Sequence, residues 1–336
     1  MHEKSPVTLI VAILFCCLAG CHPPADDNAN PKATAEATGD LLHFAVIPKG
    51  ENHIYWQSVR IGAEQAAKEV GARITFKGPA KESDRSEQID VFQGFLNAQV
   101  DGICLAPLDA DALVRPVEEA KRAGVPVVIF DSGLNAKPED YVAFVATDNF
   151  RGGQIAADAM AASLGDDGGK VICLRYHQGS DSTHRREEGF LDGIAKYPNI
   201  DVISSDQYSG TTTESAVDKA QALFNRFGEN VDGVFTACEP NAEGMLRAIR
   251  DRGLAGKVKL VAFDSSDSLR EAMSAGHVAA IILQDPVRIG NLAVKTLAAS
   301  IRGETVEKNV DTGIFVATKK NQDEPAIARL LNPPQS

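Results

Sequence analysis

No block of lysines and arginines occurs anywhere in the chain, and the formal net charge is −12. Nucleic acid is recognised first through basic patches, so that class of partner is excluded at the outset. Metal-type C-x-x-C spacing is absent, as are H-E-x-x-H, a G-x-S-x-G nucleophile elbow, a G-x-G-x-x-G turn and a Gly-rich phosphate loop. Without them the chain has no motif-level case for an enzyme, a metal site or a cofactor. His53 and His184 lack the spacing of paired metal ligands, and His184 with Asp264 and Ser265 does not read as a hydrolytic triad. Tryptophan occurs once, as Trp56.

The apolar run at residues 7–19 is too short to span a bilayer and fits the core of a signal sequence. It ends in Leu18-Ala19-Gly20-Cys21, which resembles the lipobox of bacterial lipoproteins. Cleavage before Cys21 and lipidation of its thiol are therefore expected. Residues 21–40, rich in Pro, Ala, Asp, Asn and Thr without periodicity, read as a disordered spacer. Three of the six cysteines crowd the N-terminus, and Cys104 and Cys173 end apolar runs, where buried free thiols are expected.

The remaining 300 or so residues alternate between short apolar strands and amphipathic helices, and 44% of the whole chain is apolar. That alternation predicts right-handed βαβ units and parallel sheets. Two landmarks recur in order. Val100-Asp101-Gly102-Ile103 returns as Val231-Asp232-Gly233-Val234, and Phe130-Asp131-Ser132 returns as Phe263-Asp264-Ser265. The repeat predicts two similar lobes, each with a carboxylate at a strand end. Ligand crevices in open α/β sheets lie beyond the carboxyl ends of the strands, so Asp131 and Asp264 are expected to face each other across a cleft. The competing role for either is capping the next helix.

With these residues in hand the chain resembles the ribose-type periplasmic sugar-binding proteins of ABC transporters. The resemblance runs over about residues 42–318. It is carried by Gly62-Ala63, Ala106-Pro107-Leu108-Asp109, Ile129-Phe130-Asp131, Ala146-Thr147-Asp148-Asn149 with Gly152-Gly153, Arg186-x-Glu188-Gly189-Phe190, Val261-Ala262-Phe263-Asp264 and Gln284-x-Pro286. It implies two Rossmann-like lobes, doubly wound, joined by three crossovers near Asp148, Asp285 and Asp311. Lobe one would comprise residues 41–148 with 285–311, lobe two 149–284 with 312–325, and 326–336 a tail.

The resemblance also implies a site. Asp131, Asp264 and Gln284 would take sugar hydroxyls, and Tyr55 and Trp56 would flank the ring, with lobe-one core as the competing role for Trp56. Four positions depart from the ribose pattern. His184 stands where an arginine is expected, Cys238 (followed by Glu239) and His53 where asparagines are, and Ala106 replaces a third asparagine. Ribose itself becomes doubtful by these changes. Lys49, at the end of the first strand, is placed to reach the cleft, with a solvated loop lysine as the commoner case. The implied function is a monomeric, lipid-anchored solute-binding protein that delivers a monosaccharide or polyol to an ABC permease by hinge closure. The alternative is a sensor of the same fold serving a chemoreceptor or histidine kinase.

Overall fold

The computed structural model describes residues 41–334 apart from Asn52 and Glu229. Cys21 and the segment around it lie outside the described residues. Among those described, no helix is long and apolar enough to cross a membrane.

Two six-stranded sheets carry the fold. The first takes β1 (Leu42–Ile47), β2 (Ala72–Phe76), β3 (Gly102–Leu105), β4 (Val127–Phe130), β5 (Ala143–Ala146) and β11 (Asn309–Asp311), in the order β11-β5-β4-β3-β1-β2. The second takes β6 (Gly169–Leu174), β7 (Ile200–Ser204), β8 (Gly233–Thr236), β9 (Lys259–Phe263), β10 (Ala280–Leu283) and β12 (Phe315–Ala317), in the order β12-β10-β9-β8-β6-β7. Every pairing is parallel except the β10–β12 edge. The helices are α1 (Ile54–Val70), α2 (Arg85–Asn97), α3 (Val114–Arg122), α4 (Asn149–Leu164), α5 (Asp181–Ile194), α6 (Thr213–Phe227), α7 (Glu239–Asp251), α8 (Asp267–Ser274), α9 (Pro286–Ile301) and α10 (Pro325–Leu331).

The central strands β3, β4, β8 and β10 are buried throughout, as strands covered on both faces by helices must be. In each sheet the strand order reverses beside the first strand, between β1 and β3 and between β6 and β8. Those reversals are the switch points where such sheets open a crevice at their carboxyl edges.

The sequence repeat has a physical basis. Asp101 accepts a hydrogen bond from the His43 amide at 2.7 Å, and Asp232 accepts one from the Lys170 amide at 2.7 Å, so each Val-Asp-Gly turn pins the start of the neighbouring first strand. At the second landmark the Asp131 amide donates to Val145 O and the Asp264 amide to Ile282 O, both at 2.9 Å.

The chain passes between the sheets after β5, after β10 and between β11 and β12. The helices that follow the first two passages begin alike. Asp148 caps α4 by accepting from the Arg151 amide, and Asp285 caps α9 by accepting from the Arg288 amide, each at 3.0 Å. The buried Thr147 hydroxyl lies within hydrogen-bond reach of Gln284, Thr312 and the Gly313 carbonyl, tying the three passages at one point.

Two helix pairs sit on glycine contacts. A Cβ at Gly290 of α9 would lie 2.0 Å from Val59 O of α1, and one at Gly153 of α4 would lie 2.0 Å from Arg186 O of α5. Only a missing side chain permits backbones this close.

The helix after Asp109 starts at Val114, because the Asp109 carboxylate accepts from the Asp111 and Ala112 amides and holds a turn there first. The first crossover helix begins at Asn149, because Asp148 caps it. β11, α8 and α10 carry too short an apolar pattern to stand out in the sequence. Cys104 and Cys173 are buried free thiols.

Candidate functional site

Asp131 and Asp264 follow β4 and β9 and share one unusual backbone state, with φ of +63° and +66°. A non-glycine residue in the left-handed region costs roughly 1–3 kcal/mol and persists only where surrounding structure holds it. Neither carboxylate caps a helix. Ser266 caps α8 instead, accepting from the Leu269 amide, and the Asp131 carboxylate faces inward. Both line one small cavity, of about 40 Å³.

Each carboxylate has a cation beside it. Lys49 Nζ lies 3.4 Å from Asp131 Oδ2, and Arg186 Nη1 lies 3.4 Å from Asp264 Oδ2. Tyr55 donates its hydroxyl to Asp131 Oδ1 at 2.5 Å, and Gln284 donates Nε2 to Asp264 Oδ1 at 2.7 Å. Burial of Asp264 raises its pKa despite Arg186 and Gln284.

Arg186 is itself tightly held. Its guanidinium stacks 3.8 Å over the Phe263 ring, donates to Asn149 Oδ1 at 2.8 Å and donates to Ala237 O at 3.0 Å. Asn149 in turn donates to Asp131 O at 3.4 Å. One polar chain thus runs from one wall to the other through the first crossover.

A second cluster centres on Glu82, in the loop after β2. Its carboxylate accepts from Trp56 Nε1 at 2.6 Å and Tyr176 OH at 3.1 Å, and pairs with His53 Nδ1 at 3.0 Å. Burial alone would raise Glu82, but His53, Lys49 and Trp56 together hold its pKa below the ordinary value. Burial works against protonation of His53, yet Glu82, Glu239 and Asp264 raise its pKa. Glu239, at the start of α7, lines the cavity and accepts no hydrogen bond from the described side chains or amides. Burial raises its pKa from 4.5 to about 7.

The two walls are drawn together. Lys49 donates to Ser182 Oγ at 2.8 Å and Ser180 Oγ at 3.2 Å, Tyr176 reaches Glu82, and the Ser182 amide donates to Ser132 Oγ at 3.1 Å. This is a shut cleft. It places carboxylates, amide, guanidinium and ammonium around a space walled on one side by Tyr55 and Trp56. Such a set recognises a small, uncharged molecule rich in hydroxyls, because carboxylates accept from hydroxyls, Arg and Lys donate to them, and rings cover C–H faces.

The expected site residues divide unequally. Asp131, Asp264, Gln284, Tyr55, Trp56, His53, Cys238 and Glu239 all line the cavity. Trp56 lines the cavity and is also lobe-one core, since it is 3% exposed and packs edge-on against Phe130. His184 does not belong there. It is exposed on an outer groove with Asp181 and Glu188, and the cleft side of α5 carries Ser182, Thr183 and Arg186. Two residues along a helix turn the side chain about 200°, so His184 and Arg186 face nearly opposite ways.

Lys49 takes the less common of its two expected roles and lines the cavity. It is 5% exposed and paired, because the first strand ends at the switch point rather than at open surface. Glu82, Tyr176 and Arg186 were not anticipated as site residues; Arg186 lies with Thr183, Glu187 and Phe190 on the buried stripe of α5. Nothing local marks Glu82. Among the described residues, no group of three or more His, Cys, Asp or Glu could hold a metal ion.

Residues 44–305 match the model of the periplasmic binding protein domain, and the chain belongs to that family. It is 28% identical to the D-allose-binding periplasmic protein of Escherichia coli over 76% of this chain and 83% of that one. Among solved structures it is similar to a carbohydrate transporter solute binding protein from Agrobacterium radiobacter in complex with D-arabinose. The TM-score is 0.83 at 34% identity, covering 87% of this chain and 99% of that one. It is also similar to an ABC transporter solute binding protein from Agrobacterium vitis with bound D-fucose, with a TM-score of 0.82 at 37% identity and coverage of 86% and 100%. The fold of two parallel-sheet lobes is the fold of these solute-binding proteins.

Proposed function

We propose that this protein captures a monosaccharide or related polyol in the cleft between its lobes and presents it to an ABC permease, while Cys21 anchors it to a membrane through lipid. The observation that carries the reading is the facing pair Asp131 and Asp264, each in a left-handed conformation, each beside a cation, on opposite walls of one cavity. The relatives' sugars support it: D-allose, D-arabinose and D-fucose are pentoses and hexoses, whose hydroxyls suit the carboxylates, amide and cations that line the cavity.

Binding is non-covalent and the sugar leaves unchanged. Asp131 and Asp264 accept hydroxyls, Arg186 and Lys49 donate to ring or hydroxyl oxygens, and Tyr55 swings from Asp131 to make room. Charge-assisted hydrogen bonds contribute about 1.5–3 kcal/mol each, so a few set specificity. Glu239 and Cys238 distinguish the ligand from ribose.

A thermal-shift screen of residues 41–336 against pentoses, hexoses, polyols, amino sugars and acidic sugars tests the reading. A ligand at a hundred times its Kd adds about 2.7 kcal/mol of stability. A raised midpoint with one sugar class supports it; no shift anywhere in the panel removes the sugar. Replacing Cys21 by Ser is expected to move the protein from the membrane fraction to the soluble fraction with its affinity intact. Continued membrane association rejects the anchor.

A further inference from the structure

The C-terminal segment touches three separate parts of the molecule. Ile327, Leu330 and Leu331 of α10 pack into the core of the second lobe. Ser265, the residue after Asp264, donates its hydroxyl to Leu331 O at 2.9 Å. Arg329 pairs with Asp285 Oδ2 at 2.8 Å, at the second passage between the sheets. Beyond the helix the chain crosses to the first lobe, where the fully buried Ser58 of α1 donates to Pro334 O at 2.7 Å.

Leu330 and Pro333 roof a second, smaller cavity, of about 20 Å³, whose other walls include Tyr55, Glu239, Asp264 and Gln284. All four of those side chains also line the larger cavity. The segment therefore covers the flank of the cleft where residues from both lobes meet.

We propose that residues 325–334 are a strap, fixed to the second lobe and the crossover, whose far end grips the first lobe when the cleft is shut and slows release of the bound molecule. Opening the lobes pulls Ser58 away from Pro334, so that contact exists only in the shut state. A contact made only there adds to the stability of the shut state and is lost before release. As a device acting on a sugar, the strap rests on the reading above.

The test compares the full chain with one ending at Asn332 and with Ser58→Ala. Both leave α10 and its core contacts in place. Small-angle scattering of the unliganded proteins reports the balance between open and shut. Release of bound D-fucose, D-arabinose or D-allose is followed by the fluorescence of Trp56, the single tryptophan and a cavity wall. The expected result is a larger radius of gyration and release about tenfold faster for the shortened chain, with Ser58→Ala intermediate and association little changed. Equal radii and equal release rates overturn the strap. If the full chain binds none of the three sugars, the sugar reading fails on that result, and the scattering comparison alone decides the strap.

Discussion

The two lobes share a plan and differ in how they hold their cation. Each has the same strand order, a Val-Asp-Gly turn pinning its first strand, a left-handed Asp after its fourth strand and a glycine-mediated helix pair. Arg186, however, is locked within the second lobe's wall by Asn149, Ala237 O and the Phe263 ring. Lys49 reaches from the first lobe to Ser180 and Ser182 of the second. A repeated fold has thus been given one cation that preorganises a wall and one that joins the walls. Preorganisation lowers the cost of ordering on binding, while a cross-lobe contact biases closure.

Replacing the two cations breaks the comparison most severely. Arg186→Ala leaves Asp264 buried and unpaired, and removing one partner of a buried pair costs about 3–5 kcal/mol. Urea unfolding of the unliganded protein is expected to register that loss for Arg186→Ala. Lys49→Ala likewise leaves Asp131 buried without its cation and is expected to cost a comparable amount, but it also removes the contacts to Ser180 and Ser182, so it alone is expected to enlarge the radius of gyration of the unliganded protein. Equal radii for the two variants would dissolve the distinction.

The carboxylates test the shared part of the plan. Asp131→Ala or Asp264→Ala is expected to abolish the roughly 2.7 kcal/mol that saturating ligand adds to stability. Asp131→Gly relieves the left-handed strain but leaves buried Lys49 without its carboxylate, so the unliganded protein is expected to be less destabilised than Asp131→Ala while still failing to bind. A mutant that binds as wild type does would remove that residue from the site.

The glycine contacts are expected to behave alike. Gly153→Ala and Gly290→Ala each force a methyl against a backbone carbonyl, and overpacking costs about 1–3 kcal/mol and sometimes more. Thermal unfolding of the two variants should show similar losses, since both Cβ positions lie 2.0 Å from the facing oxygen.

The smallest effect lies in pH dependence, where the lobes have opposite signs. Burial raises Glu239 and Glu187, both in the second lobe, from 4.5 to about 7. The folded state then holds their protons more tightly than the unfolded chain does, so the stability they contribute is complete below about 4.5 and is lost as pH rises through 7. Glu82, in the first lobe, is held below its ordinary value, so its contribution is present at neutral pH and is lost as pH falls below that value. Midpoints measured from pH 4 to 8 should show a shallower decline toward neutrality for Glu239→Gln and a weaker loss in acid for Glu82→Gln. Identical profiles for both variants would erase the contrast.

Much of this was legible before any coordinates. Alternating apolar runs and amphipathic helices specify parallel sheets because hydrogen-bonding and burial patterns are local and periodic. The repeat at Phe130-Asp131-Ser132 and Phe263-Asp264-Ser265 announced the paired carboxylates, and Tyr55, Trp56 and Gln284 followed from the family pattern. His184 misled because alignment by position ignores which way a helix faces; Arg186, on the buried stripe with Thr183 and Phe190, takes the cleft side. Short elements such as β11 and α10 were missed because three to seven residues hold too few turns or alternations to show a period.

By itself the sequence determined the βαβ alternation, the twofold repeat and the strand-end carboxylates, since each depends on residues close together in the chain. Tertiary structure alone decided that Lys49 is buried, that Glu82 gathers Trp56, Tyr176 and His53, and that the C-terminal segment crosses from one lobe to the other. These pairings join residues far apart in sequence across a cleft, and a side chain's charge state and partner are set by the surfaces that fold against it.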